Sequence, residues 1–181
     1  IDRAPAPATT SRALVVQPRT LEIFDDLGIA AEALARGRRV DAFAAVFPGR
    51  APARLPLHVD VSDRPELDTA YDSPLVLSQD RTEALLTEHL DGLGGRVERG
   101  VALESYTETA DGVLAVLRHA DGRTERAAAR WIIGCDGAHS TVRACAGVPF
   151  EGATYPEEFI MADARLNWAL PDWRLYVFPG K

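Results

Sequence analysis

Residues Ile132 to Arg143, IIGCDGAHSTVR, place an apolar run, an acid, a glycine and a helix start in that order. The pattern predicts a strand that stops at Asp136, turns at Gly137 and enters a helix from about Ser140 to Ala146. α/β proteins bind ligands that carry hydroxyls or phosphates at turns of this kind. The pattern fits equally well an ordinary turn in which the aspartate only caps the helix. The residues themselves leave both interpretations open.

The segments before this stretch predict an α/β fold. Three runs with strand character, 97–105, 113–119 and 124–129, are separated by Asp-Gly pairs, which favour tight hairpins. We therefore expect a small antiparallel meander that leads into 130–134, an apolar run typical of a buried parallel strand. Cys135 would then be buried and inert at the end of that strand.

Helices are predicted from Pro18 to Gly28, over 30–36 and over 80–91. Proline suits a first helical turn, and glycine commonly follows a helix C-terminus. In the third helix we expect a capping box formed by Asp80 and Glu83. Leu86, Leu90 and Leu93 are expected to lie on one face of this helix.

Further strands are expected within 40–61 on either side of Pro48-Gly49, over 159–167 and over 173–178. Apolar side chains in and near these segments could either line a pocket or form the core of a sheet. They are Phe43, Val46, Phe47, Trp168, Trp173, Tyr176 and Phe178.

Composition argues against several classes of function. A net charge of −7 over 181 residues, without a basic cluster, argues against a nucleic-acid partner. The apolar runs are too short to span a membrane. Two cysteines with no metal-ligand or disulfide spacing favour a reducing, cytoplasmic setting and no metal site. The chain starts with Ile1-Asp2-Arg3, which is typical of a strand end, so we expect an internal fragment of a longer protein.

Single residues suggest ligand contacts, each with a simpler alternative. An acid at a strand end, such as Asp2, can bind a ribose or merely face solvent. Arg12 can grip a phosphate or lie free on the surface. Gln79 precedes a predicted helix and can bond a polyhydroxyl chain or cap that helix. His139 can pair with an anion or serve the local structure.

Together these pieces resemble one family, the FAD-dependent aromatic hydroxylases, single-component flavoprotein monooxygenases typified by para-hydroxybenzoate hydroxylase. The resemblance extends over nearly the whole chain. The segments that carry it are Ile1-Asp2-Arg3, Ser11-Arg12-Ala13-Leu14, Gln17-Pro18-Arg19-Thr20-Leu21-Glu22, Ser78-Gln79 and Gly134 to Arg143.

The resemblance implies a set of cofactor contacts and neither a catalytic side chain nor a metal ligand. Asp2 would bind the adenosine ribose of FAD, and the adjacent Arg3 would also belong to the cofactor site. Arg12 would lie near the pyrophosphate, with Ala13 lending its backbone. Gln79 would contact the flavin side. The backbone of Val101 would meet the adenine, Asp136 and Gly137 would serve both FAD and NADPH, and His139 would contact NADPH. The residues involved are Asp2, Arg3, Arg12, Ala13, Gln79, Val101, Asp136, Gly137 and His139.

The resemblance also implies a domain plan. Residues 1–41 and 76–152 would form a Rossmann-like FAD-binding domain, incomplete because its glycine-rich loop and its C-terminal Gly-Asp motif fall outside the chain. Residues 42–75 and 153–181 would form part of a β-sheet substrate-binding domain.

The implied activity is hydroxylation of a phenolic or polyketide-like aromatic by O2, through a flavin hydroperoxide, with NADPH or NADH as reductant. The 181 residues alone would be inactive. One alternative is a related flavin reductase or halogenase. Another is a non-catalytic fragment or degenerate flavoprotein that binds small molecules or a protein.

Overall fold

The computed structural model describes residues 1–9, 13–40, 42–47, 49, 52–56, 69–158, 160, 162, 164–170 and 175–179, with the backbone alone at 43 and 54–56. The chain forms two compact units. We call Ile1–Pro7 with Gly95–Ile160 the meander unit, and Ala8–Gly94 with Met161–Lys181 the helical unit.

The elements follow the chain in this order: β1 (Val15–Val16), α1 (Pro18–Asp26), α2 (Ala30–Arg36), β2 (Arg38–Arg39), β3 (Ala42–Ala45), β4 (Ala53–Pro56), β5 (Leu75–Val76), α3 (Gln79–Gly92), β6 (Val101–Thr109), β7 (Gly112–His119), β8 (Thr124–Ala129), α4 (Thr141–Cys145) and β9 (Leu175–Val177).

The core of the helical unit lies between α1, α2, α3 and a small antiparallel sheet of order β1-β5-β2. The first helix begins at Pro18, as predicted, and buries Leu21 and Phe24 on one face. Leu75 on the central strand is completely buried and is among the largest fully buried side chains of the described residues. Burial of such side chains supplies most of the driving force for folding of a unit of this size.

A second sheet in the helical unit, of order β4-β3-β9, joins segments that are far apart in sequence. β3 pairs antiparallel with β4 and parallel with β9, where Ala44 lies opposite Tyr176. A hairpin partner and a distant parallel partner therefore flank one short strand.

The meander unit is built on the antiparallel sheet β6-β7-β8, as the Asp-Gly pairs predicted. The register of β6 on β7 shifts between Leu103 and Ser105, which marks a β-bulge. Val101, Ala115 and Leu117 form the buried face of the sheet. A short helix, α4, follows at the position expected from the sequence.

The capping box predicted for α3 was wrong, and the predicted leucine face is not the one that is buried. Ser78 is the N-cap, and Asp80 lies inside the first turn. Leu85 is buried, whereas Leu93 is 73% exposed. The helical period shows which residues share a face, but packing against the core of the helical unit, to which Leu85 belongs, decides which face is covered.

The buried parallel strand predicted at 130–134 was also wrong. These residues form no strand, no described strand pairs with them, and Trp131 and Ile133 are 75% and 83% exposed. Cys135 is exposed rather than buried. The described residues of 159–167 likewise form no strand. Apolar composition predicts a tendency to be buried, but burial also requires a neighbouring element that covers the segment.

None of the described helices is long and apolar enough to cross a lipid bilayer.

Gly37 provides a test of packing in the helical unit. A Cβ at this position would lie 2.6 Å from Cγ of Leu75, while its φ of −98° suits any residue. We expect Gly37→Ala to lower the free energy of unfolding by about 1–3 kcal/mol through overpacking, measured by urea denaturation.

The control is Gly92→Ala, because Gly92 ends α3 with open space around it. This change should leave the free energy of unfolding unchanged or raise it by up to about 1 kcal/mol. Combining Gly37→Ala with Leu75→Ala should cost less than the sum of the two single changes. Additive costs would show that the two residues do not clash.

Candidate functional site

Asp2 is held beside the start of β6 by backbone hydrogen bonds. It forms a parallel β-bridge with Arg99. Its N–H donates to the carbonyl of Glu98 at 2.8 Å, and the N–H of Val101 donates to the carbonyl of Asp2 at 3.0 Å. The backbone of Asp2 therefore has a fixed position at one end of the meander.

Hydrogen bonds within the protein use some of the acceptor positions of the Asp2 carboxylate and leave others open. Its Oδ1 accepts from the Ala4 N–H at 2.9 Å, and its Oδ2 accepts from Nη1 of Arg99 at 2.9 Å. The Asp2 side chain is 42% exposed. A carboxylate has about four acceptor positions, so each oxygen keeps one that solvent or a ligand can use. Two open acceptors side by side suit a pair of neighbouring hydroxyls.

Two other predicted cofactor residues lie at the same place. Arg3 is exposed beside Asp2. The side chain of Val101 is 4% exposed and belongs to the core of the meander, so only its backbone could meet a ligand. Sequence reasoning overlooked Arg99, because the arginine is 97 residues away from its aspartate partner.

Asp136 caps α4. Its Oδ1 accepts from the Ser140 hydroxyl at 2.5 Å, and its Oδ2 accepts from the N–H groups of Thr141 and Val142 at 2.6 and 3.3 Å. Gly137 takes a φ of 73°, a value that favours glycine. The capping interpretation therefore describes the structure, and the dinucleotide role of Asp136 and Gly137 stays a prediction.

Arg143 holds the loop that follows Asp136. Its Nη2 donates to the carbonyl of Ala138 at 2.7 Å, and its guanidinium carbon lies 4.3 Å from the centre of the Phe150 ring. His139, in the same loop, is exposed. Arg143 is the last residue of the stretch Ile132 to Arg143, whose residue types gave no indication of these contacts.

Gln79 and Ala13 belong to the helical unit. Gln79 is the half-buried first residue of α3, and its Nε2 donates to Oε1 of Glu83 at 2.7 Å. This bond fixes the orientation of the amide. Ala13 is exposed just before β1. Arg12 lies outside the described residues.

Three of the aromatic residues singled out in the sequence form a cluster at β9. The ring centres of Trp168 and Tyr176 are 5.2 Å apart in an edge-to-face arrangement, and Phe178 lies 6.3 Å from Trp168. The buried Tyr176 hydroxyl has no hydrogen-bond partner among the described residues. Trp173 and the side chain of Phe43 lie outside the described residues.

The meander also has an open recess of about 800 Å³ at the end opposite Asp2. Tyr106, Glu108, Arg130, Trp131 and Val142 line it. None of the described cofactor candidates is among its lining residues.

Comparison with known proteins identifies the family. The model of the FAD-binding domain family matches residues 1–174, nearly the whole chain. The chain belongs to the FAD-binding domain family. Its α/β fold and its resemblance to the FAD-dependent aromatic hydroxylases are thereby confirmed.

Relatives of this FAD-binding domain carry monooxygenase names. The 6-methylpretetramide 4-monooxygenase of Streptomyces rimosus is 42% identical over 170 residues, which are 92% of this chain and 29% of the relative. The pentachlorophenol 4-monooxygenase of Sphingobium chlorophenolicum is 32% identical over 186 residues, 100% of this chain and 33% of the relative. The chain thus spans about a third or less of the length of these relatives.

A solved structure shares the fold of this FAD-binding domain. The flavin-dependent monooxygenase PieE, in complex with FAD and substrate, aligns with a TM-score of 0.72 and 28% identity. The alignment covers 83% of this chain and 28% of PieE.

The hydrogen bonds of the Asp136 carboxylate should make the stability of the fold depend on pH. The Ser140 hydroxyl, with help from backbone N–H groups, holds the pKa of Asp136 below its ordinary value of 3.8. A folded-state pKa below the unfolded one means that the ionised carboxylate stabilises the fold above pH 3.8. That contribution is lost as the pH falls through the lowered pKa.

We therefore expect Asp136→Asn to lower the thermal unfolding midpoint near neutral pH and the difference from the unchanged chain to shrink below pH 3.8. Circular dichroism across a pH series measures both. Asp111→Asn, in an exposed turn of the same unit, is the control. A difference that stays constant with pH would contradict the assignment.

Proposed function

We propose that the complete gene product is an FAD-dependent monooxygenase that hydroxylates a phenolic or polyketide-like aromatic with O2. The observation that carries this proposal is the match of the FAD-binding domain family to residues 1–174. Relatives named as monooxygenases of aromatic compounds support the reaction class. When bound, the flavin would supply the redox chemistry, taking electrons from NADPH or NADH and activating O2 as a flavin hydroperoxide.

The residues of the chain bind and orient the cofactor in this proposal. Asp2 receives the ribose hydroxyls on its two open acceptor positions, supported by its exposure and its fixed backbone. Arg3 and the backbone of Val101 lie next to the adenosine. Gln79 presents an amide whose orientation Glu83 fixes. Arg12 and Ala13 serve the pyrophosphate.

The proposed roles of Asp136, Gly137 and His139 depend on a loop with a well-defined shape. Arg143 and the helix cap hold this loop in place. A preformed loop can present backbone groups to a dinucleotide without the entropic cost of ordering it. Asp136 and Gly137 would serve both FAD and NADPH, and His139 would contact NADPH.

We assign 42–75 and 153–181 to the substrate-binding part and 1–41 and 76–152 to the FAD-binding part. The parallel pairing of β3 with β9 supports the assignment, because it joins the two substrate segments in one sheet. The aromatic cluster of Trp168, Tyr176 and Phe178 gives that sheet side chains suited to an aromatic ligand.

Two free cysteines support a reducing, cytoplasmic setting.

The first test is the cofactor content of the purified complete gene product. We expect flavin absorbance in the near-ultraviolet and blue, and a released cofactor that chromatographs as FAD.

Asp2→Asn and Arg12→Ala should each raise the Kd for FAD about tenfold, as expected for the loss of one charge-assisted hydrogen bond. Arg96→Ala, at an 82% exposed side chain, should leave it unchanged. A colourless protein that takes up no FAD would favour the binding-module alternative.

The second test concerns substrate recognition at Tyr176. Because its buried hydroxyl has no partner among the described residues, Tyr176→Phe should change the free energy of unfolding by less than about 0.5 kcal/mol. If the hydroxyl bonds an oxygen of the substrate, the same change should raise KM about tenfold. Substrate-stimulated NADPH oxidation measures it, with Tyr106→Phe in β6, outside the assigned substrate-binding part, as control. An unchanged KM would assign Tyr176 to the core of the sheet alone.

A further inference from the structure

We infer that Arg99 is a positioning residue for the adenosine ribose of the cofactor. It holds the carboxylate of Asp2 so that the open acceptor positions point toward a pair of neighbouring hydroxyls. This inference rests on the proposed function, since it requires Asp2 to bind that ribose. Arg99 itself need not touch the cofactor.

The contact has the geometry of an orienting bond. Nη1 of Arg99 donates to Oδ2 of Asp2 at 2.9 Å, while the Ala4 N–H donates to Oδ1 at 2.9 Å. One donor on each oxygen fixes the rotation of the carboxylate, which neither donor alone would do. Hydrogen bonds between ions are also stronger than neutral ones.

Burial makes Arg99 the more rigid partner. The Arg99 side chain is 21% exposed, compared with 42% for Asp2. Its backbone faces Asp2 across the parallel bridge, and the next residue, Gly100, donates its N–H to the carbonyl of Ala4 at 3.1 Å. The arginine thus approaches Asp2 from a backbone that is itself bonded to both neighbours of Arg3.

Charge gives Arg99 a second contribution. FAD carries a pyrophosphate, and a bare carboxylate near it would repel the ligand. The guanidinium balances the charge of Asp2 while leaving its acceptor positions open. Lysine at this position would keep the charge but lose the planar, forked geometry of arginine.

The test compares FAD with FMN in the apoprotein of the complete gene product. FMN lacks the adenosine, so it serves as an internal reference for the flavin half of the site. Flavin fluorescence measures both Kd values for the unchanged protein and for Arg99→Met, Arg99→Lys, Asp2→Asn and the double variant Asp2→Asn with Arg99→Met. The matched control is Arg118→Met, which breaks the Arg118–Glu104 pair of the same unit.

Arg99→Met should raise the Kd for FAD about tenfold and leave that for FMN unchanged, as expected for the loss of one charge-assisted hydrogen bond. Arg99→Lys should weaken FAD binding by a smaller factor, and Arg118→Met should not change it. The double variant should bind FAD no more weakly than Asp2→Asn alone, because Arg99 acts through Asp2.

The outcomes separate the inference from the proposed function. An unchanged protein that binds no FAD defeats the proposed function, and the inference with it. If the unchanged protein binds FAD and Asp2→Asn weakens binding while Arg99→Met does not, the inference alone fails. Equal losses for FAD and FMN would also overturn it, because they indicate general damage to the fold. If Arg99→Met does not fold, Arg99→Lys decides, and an unchanged ratio of the two Kd values overturns the inference.

Discussion

Two backbone hydrogen bonds, one on each side of Asp2, join the first residues of the chain to 98–101. They bring together a carboxylate and a guanidinium that lie 97 residues apart in the sequence. Without this pairing nothing would hold the carboxylate of Asp2 in one place, and ordering it for a ligand would cost conformational entropy. With it, the end of the meander that carries the proposed adenosine contacts is already in place. The bonds are made by the backbone, so the side chains remain available for recognition.

The elements that the sequence predicted well begin or end at residues that act on the local backbone. Pro18 begins α1 because its ring fixes φ, and Gly37 follows α2. The Asp-Gly pairs turn the meander because glycine can adopt the positive φ that Gly112 and Gly122 show. The errors concern burial. The leucines of α3 lie on more than one face, and the core of the helical unit covers Leu85. Segment 130–134 has the composition of a buried strand, yet no described strand covers it, and a single sequence does not say which distant segment would.

The candidate site shows the same pattern. The sequence indicates which residues could bind a ligand, but it does not indicate every partner that holds them. Asp2, Gln79 and Asp136 could be chosen from the sequence because their positions relative to strands and helices suggest a ligand. Their partners could not all be found in that way. Ser140 lies four residues from Asp136 and follows from the rules of helix capping, whereas the partner of Asp2 depends on the pairing of distant segments. Whether these candidates bind the cofactor stays a prediction, but the structure shows how firmly each one is held.

The exposed segment around Trp131 and Ile133 has a practical consequence for handling this polypeptide. Among the described residues no strand pairs with this apolar stretch, and its large side chains are exposed. Such a stretch can pair with the same stretch of another molecule and nucleate aggregates. Recombinant preparations of these 181 residues would therefore be expected to lose material at high concentration. Gatekeeper substitutions at Trp131 or Ile133, to lysine or aspartate, are the natural remedy for work on the isolated chain.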